Sequence, residues 1–158
     1  MEFYTIGVYN STEGEYFNKL IINRIDSFCD IRQRRGVRGA DYKFVNSKYL
    51  QSRLNELGIN YIYIPELAPT AEIRKLQKDA DLKSGILKRD RTQMGKVFVD
   101  TYLKTIADSF DFKQCIAELI EAGANRVVLF CVEEKPEACH RSIVGNEIAR
   151  FGFKITDL

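Results

Sequence analysis

The chain has 158 residues, of which 45% are hydrophobic and 29% charged, and its net charge is +2. That length suits one domain burying roughly 68–70% of its unfolded surface, and the near-neutral charge gives no compositional case for nucleic acid. Four cysteines in a chain this long are not a disulfide framework, and no stretch approaches the roughly 20 apolar residues of a membrane span. The start, Met1-Glu2-Phe3-Tyr4, lacks the basic region and apolar core of a signal peptide. These features predict a cytoplasmic protein with reduced thiols and no membrane partner.

In chain order, Phe3 to Val8 is a short apolar run that predicts a first strand ending at Gly7. Ser11-Thr12 offers an N-cap for a helix with Tyr16, Phe17, Leu20 and Ile21 at helical spacing. Asp26 to Arg32 reads as a second strand, and Gln33 to Ala40, rich in glycine and arginine, as a loop. Asn46 or Ser47 caps a helix holding Leu50, Leu54 and Leu57, which Gly58 stops. Ile59 to Ile64 is a third strand ended by Pro65.

Ala68 to Gly95 is densely charged. Thr70 caps a short helix there, and Arg74, Lys75, Lys78, Lys83, Lys88, Arg89 and Arg91 surround it. It reads as a charged helical insertion over the sheet edge, a candidate lid. A helix with Val97, Phe98, Tyr102, Leu103 and Ile106 follows. Asp111 caps another, holding Ile116, Leu119 and Ile120 and ending at Gly123. Val127 to Val132 is the fourth strand. Pro136 fits the first position of a helix running to Phe151, and Lys154 to Leu158 forms a last strand.

Strands alternating with helices predict an α/β fold, a single-domain three-layer α/β/α arrangement on a mostly parallel five-stranded sheet. Such sheets bind ligands beyond the carboxyl ends of their strands. Here those ends carry Tyr9 and Asn10, then Asp30 and Arg32, then Glu66, then Cys131 and Glu133.

The last of these ends opens the densest chemical segment, Cys131 to Arg141, which holds the only histidine. A helical wheel for the last helix puts His140 and Arg141 on the sheet side and Cys139 near the opposite face. Adjacent helical residues do not face each other, so Cys139 and His140 make a poor dyad, and Cys131 is the better partner for His140. Cys131 also fits as a small core residue, Cys139 as a helix contact, and Cys29 and Cys115 as core. A metal held by Cys131, Cys139 and His140, with Glu133, matches no common zinc spacing. No cofactor or metal is expected. Arg141 on the sheet side needs an acid, Asp30 or Glu133, or a bound anion.

The loop holding Arg32, Arg34, Arg35 and Arg38, with the basic insertion, predicts an anionic ligand. Tyr9, Tyr42 and Phe44 are positioned to stack a base. A solvated loop and ordinary loop aromatics account for the same residues.

Thr5-Ile6-Gly7, Asp30-Ile31-Arg32, Leu57-Gly58-Ile59 with Tyr61, Pro65-Glu66-Leu67, and Cys131-x-Glu133 through Pro136 to Cys139-His140-Arg141 occur in order across nearly the whole chain. Together they resemble the DUF488 family of domains of unknown function. The resemblance implies a compact α/β fold and an intracellular protein of bacterial or archaeal type, with no established reaction. Many relatives follow Thr-Ile-Gly with His and Ser, where this chain has Val8 and Tyr9. Relatives also often place a proline and a serine where this chain has its arginine-rich loop.

Three functions remain open. One is an enzyme, such as a hydrolase, acting on a phosphate-bearing nucleotide or nucleic acid. Arg32 and Arg141 would bind the anion, Glu133 or Asp30 would be the base or stabiliser, and His140 the acid–base partner. Another is a non-catalytic nucleotide- or nucleic-acid-binding module. The third is a cysteine-dependent enzyme using Cys131, although the Cys-x5-Arg loop of phosphatases and any Cys-x-x-Cys pair are absent.

Overall fold

The computed structural model describes residues 1–37, 39–87 and 91–158. The expectations for Arg38, Lys88 and Arg89 fall outside the described residues. Five strands, β1 (Glu2–Ile6), β2 (Ser27–Asp30), β3 (Asn60–Tyr63), β4 (Arg126–Phe130) and β5 (Ile155–Asp157), form one sheet in the order β3-β2-β4-β1-β5. Every pairing is parallel. Parallel neighbours need crossovers, and helices supply them.

Side chains alternate across the pleat, and the sheet separates two cores. Tyr4, Ile6, Phe28, Val128 and Phe130 face one side. There they meet α1 (Glu13–Ile22) and α2 (Ser47–Glu56) through Tyr16, Phe17, Leu20, Leu50 and Leu54. Phe3, Cys29, Val127, Leu129 and Cys131 face the other. That side is covered by α4 (Lys96–Thr105), α5 (Phe112–Glu121) and α6 (His140–Ala149). α3 (Ala71–Lys83) packs on α4. This is the expected single-domain α/β/α fold. Among the described residues, no helix is long and apolar enough to cross a membrane.

The expected caps Thr12, Thr70 and Asp111 each accept a backbone N–H from the first turn of their helix. Asn46 precedes α2, but its Oδ1 accepts instead from the Val37 N–H at 2.7 Å, tying down the loop after β2.

The last helix differs most from expectation. Pro136–Ala138 is a separate 3-10 turn, Cys139 is extended (φ −138°, ψ 147°), and α6 begins only at His140. The wheel for a continuous helix therefore does not apply to Cys139. α6 is also buried around most of its circumference, with Ile143 as covered as Val144, because α4 packs across its outer side. Phe151 lies beyond the helix and is exposed.

Replacing the fully buried Leu50 with alanine is expected to cost about 2–5 kcal/mol. Leu82→Ala, at a side chain 69% exposed, should change stability by no more than about 0.5 kcal/mol. Urea midpoints at constant slope check both.

Candidate functional site

The carboxyl edge of the sheet is built around the connection from β4 to α6. Gly7, just past β1, lies against it so closely that a Cβ there would come within 2.0 Å of the Glu133 carbonyl oxygen. Val8 and Tyr9 both donate their N–H groups to the Val132 carbonyl. Asn10 takes a left-handed turn (φ 63°), and its side chain donates to the Glu134 carboxylate at 2.6 Å. Tyr9 packs on Tyr42, whose hydroxyl accepts from the Asn10 N–H.

The Arg141 guanidinium is fully buried. It donates to the backbone carbonyls of Glu133 and Glu134 (2.7 Å to the latter) and lies 3.4 Å from Asp157 Oδ1. Its partners are thus the loop and Asp157, and neither Asp30 nor the Glu133 carboxylate. Arg32 is engaged in a similar way. Its Nε and Nη2 meet Asp30 at 2.8 and 2.7 Å, and Nη2 also donates to the Val45 carbonyl. Asp30, wholly buried, accepts in addition from the Tyr61 hydroxyl and the Arg32 N–H. Burial first, then the Asp30 charge, pushes the Tyr61 hydroxyl up to about 12. Among the described residues, four buried polar atoms have no hydrogen-bond partner: the Tyr16 hydroxyl, Arg32 Nη1, Arg91 Nε and Arg141 Nε. The Arg32 guanidinium stacks 4.4 Å from the Phe130 ring centroid, and Tyr16 packs on the same ring.

Arg34 is exposed, and Arg35 lies 4.3 Å over the Tyr63 ring. Glu66 is exposed in the turn after β3. The Glu133 carboxylate is 3.7 Å from Arg91.

Beneath this edge, the break before α6 brings three side chains together. Cys131 Sγ and Cys139 Sγ each lie 3.8 Å from His140 Nδ1. All three are buried, and their potential ligand atoms lie within 4.8 Å of one another. The extended conformation turns Cys139 inward, so the expectation that it faces away is overturned. His140 Nε2 is 3.1 Å from the Ile31 carbonyl. A carbonyl oxygen only accepts, so Nε2 carries a proton there and Nδ1 is left to the two sulfurs. The Tyr102 ring lies 5.9 Å from the imidazole, and its hydroxyl donates to the Leu67 carbonyl at 2.5 Å.

Burial penalises a charge on Cys139. The hydrogen bond from Cys131, with the charges of His140 and Arg141, outweighs that penalty and holds Cys139 well below the usual thiol range. Cys131, bonded to Cys139 and buried, is pushed well above it. Cys139 is the N-cap of α6, where peptide dipoles favour anions.

A family model described as "Domain of unknown function DUF488" matches residues 14–148. The chain belongs to the DUF488 family. The matched region of this DUF488 domain contains Cys131, Cys139 and His140. No curated protein matches the chain, and no solved structure does.

The DUF488 domain also uses residues that sequence reasoning passed over. Arg91, in the insertion, has a side chain only 8% exposed and donates to the Ala138 carbonyl, immediately before Cys139. It also bonds Asp81, which accepts from Gln77, which in turn accepts from the Gly95 N–H. Met94 donates its N–H to the Glu137 carbonyl. Two arginines thus grip the β4–α6 connection at its two ends. In sequence Arg91 is one cation among many in a charged stretch, and nothing local marks it as buried. An open groove of about 640 Å³, lined by Asp108, Phe110, Phe112, Glu147 and Arg150, lies at the far end of α6 and touches none of the expected site residues.

Gly7→Ala must displace the Glu133 carbonyl and is expected to cost about 1–3 kcal/mol, as overpacked sites do. Gly14→Ala, in α1 with nothing within 4 Å of the new Cβ, should stabilise by about 0.5 kcal/mol. Urea denaturation of the two variants reads the opposite signs.

Proposed function

We propose that the protein binds a phosphate-bearing ligand, a nucleotide or a nucleic acid, at the carboxyl edge of the sheet and acts on it through the Cys131–Cys139–His140 cluster. The carrying observation is the placement of His140 Nδ1 3.8 Å from both sulfurs with Nε2 anchored on the Ile31 carbonyl. A thiol, an imidazole within reach of it and a third group that orients the imidazole form the pattern of an activated nucleophile.

The other expected catalytic groups fit supporting roles better. Asp30 is saturated by donors from Arg32 and Tyr61, and Arg141 grips backbone carbonyls. Glu133, beside Arg91, helps hold the connection. The ligand contacts then fall to Arg34 and Arg35 on the rim, with Tyr9 and Asn10 across the edge. The unpaired Arg32 Nη1 and the Tyr16 hydroxyl favour a ligand oxygen near Phe130. The described parts of the charged insertion, residues 68–87 and 91–95, serve as the cover of the cluster, held down through Arg91. A non-catalytic nucleotide-binding module needs only the rim residues, and the cluster argues for more than that.

Nucleoside triphosphates and a short oligonucleotide test this reading by thermal shift and turnover. A ligand at a hundredfold excess over Kd should stabilise by about 2.7 kcal/mol. For the oligonucleotide, Arg34→Ala and Arg35→Ala should each weaken binding and lower the salt slope by about one. Cys139→Ser and His140→Ala should keep binding and lose turnover, with Cys115→Ser unchanged. Absence of stabilisation by every phosphate ligand would sink the substrate class. Wild-type turnover in both cluster variants would sink the role of the cluster.

A further inference from the structure

The same three side chains have the geometry of a metal centre. Zinc bonds to thiolate sulfur at about 2.3 Å and to imidazole nitrogen at about 2.0–2.1 Å. Those bonds set the S···N edge at about 3.6 Å for tetrahedral angles and at about 3.8 Å for trigonal ones. Both edges here measure 3.8 Å. An ion placed among the two sulfurs and Nδ1 would need only small side-chain adjustments.

The surroundings fit as well. A metal-bound histidine characteristically donates its other N–H to a carbonyl or carboxylate, which fixes the ring; here Nε2 and the Ile31 carbonyl are 3.1 Å apart. The two cysteines come from opposite ends of one connection, and each end is gripped by a buried arginine. Arg141 holds the carbonyls just after Cys131, and Arg91 holds the one just before Cys139. Such a clamp preorganises ligands before the metal arrives. Charge balance also selects the metal. Two thiolates, a neutral imidazole and a divalent ion sum to zero, so the occupied centre adds no net charge to a buried region. Thiolate and imidazole together suit zinc and exclude magnesium and calcium, which take oxygen ligands.

We propose that Cys131, Cys139 and His140 bind one divalent zinc-type ion. Three protein ligands are the set used by catalytic zinc sites, whose fourth position takes water or a substrate oxygen. The inference rests on the reading above that this cluster is the working centre; with the ion bound, the two sulfurs and Nδ1 would be its ligands, and a water or substrate oxygen in the fourth position would replace the thiol as the reacting group. The spacing, with seven residues between the cysteines and the histidine directly after the second, is not a familiar finger pattern. It works because Cys139 is extended and His140 helical, so neighbours in sequence point at one spot.

The test uses the full chain, reduced and stripped with a chelator, then titrated with Co²⁺ and afterwards Zn²⁺. The expected result is a near-ultraviolet thiolate-to-cobalt band saturating at one equivalent and abolished by zinc, with no response to Mg²⁺. Cys131→Ser and Cys139→Ser should each weaken cobalt binding by at least about a hundredfold, the upper end of what even outer-shell partners contribute. Cys115→Ser should bind as wild type. A wild-type protein that shows no band and retains no zinc overturns the proposal without relying on any variant, as does a band that persists in both cysteine variants. Two further outcomes separate this proposal from the function above. If chelated wild-type protein keeps full turnover while Cys139→Ser loses it, the cluster remains the working centre and the metal is rejected. If zinc binds as expected but the cysteine variants turn over nucleotide normally, the metal stands and the catalytic role falls.

Discussion

The buried Arg141 guanidinium is the interaction on which the carboxyl edge of this fold depends. Its donors take the Glu133 and Glu134 carbonyls, groups that would otherwise be left without secondary-structure partners where β4 gives way to the 3-10 turn. An arginine buried without such partners would be strongly destabilising. With them it fixes the loop against Gly7 and sets the direction in which the chain approaches Cys139. Arg91 performs the same task at the other end of the connection, at the Ala138 carbonyl. The two cysteines that face each other across this loop are set in place by the two arginines, and the hydrogen bond between the thiols adds to that.

That division of labour separates structure from chemistry on one short segment. Arg32 and Asp30 form a bidentate pair in the interior of the edge, which favours a structural role for residues that resemble an anion site when read in sequence. The two sulfurs and one ring nitrogen of the cluster lie within reach of one another on the same segment. Buried titratable groups clustered in this way mark a functional-site candidate. Nucleophilic use and metal ligation both start from the same geometry. They differ in whether a cation occupies the space that Nδ1 and the sulfurs enclose.

Much of the fold was legible because its signals are local. The apolar run at Val127 to Phe130, the caps at Thr12, Thr70 and Asp111, and the glycine stops at Gly58 and Gly123 each act within a few residues, and each marks an element boundary in the structure. The wheel placed His140 and Arg141 on the buried side because those residues are helical. It failed for Cys139 because Pro136 starts a 3-10 turn, and the chain straightens before α6 begins. One 3-10 turn and one extended residue were enough to move a thiol from the expected outer face to the centre of the cluster. Arg91 was illegible for another reason, whereas Tyr102 was read on its helix and only its hydroxyl's partner was not. Their partners at Ala138, Asp81 and Leu67 are fixed by how α3 and α4 dock, and a charged stretch carries no periodic signal for docking.

By itself the sequence determined the alternation of strands and helices, the two apolar faces of the sheet, the family, and the segment from Cys131 to Arg141 as the densest run of chemically capable side chains. Those properties follow from residue type and short-range periodicity, which survive any rearrangement of distant parts. Only the tertiary structure decided which arginines grip backbone and which remain on the rim. It alone brought Cys139 to Cys131, and it alone gave His140 the Ile31 carbonyl as its second partner. Each of these depends on where a backbone carbonyl from another element comes to rest. A carbonyl is the same in every residue, so the sequence has no letter for it.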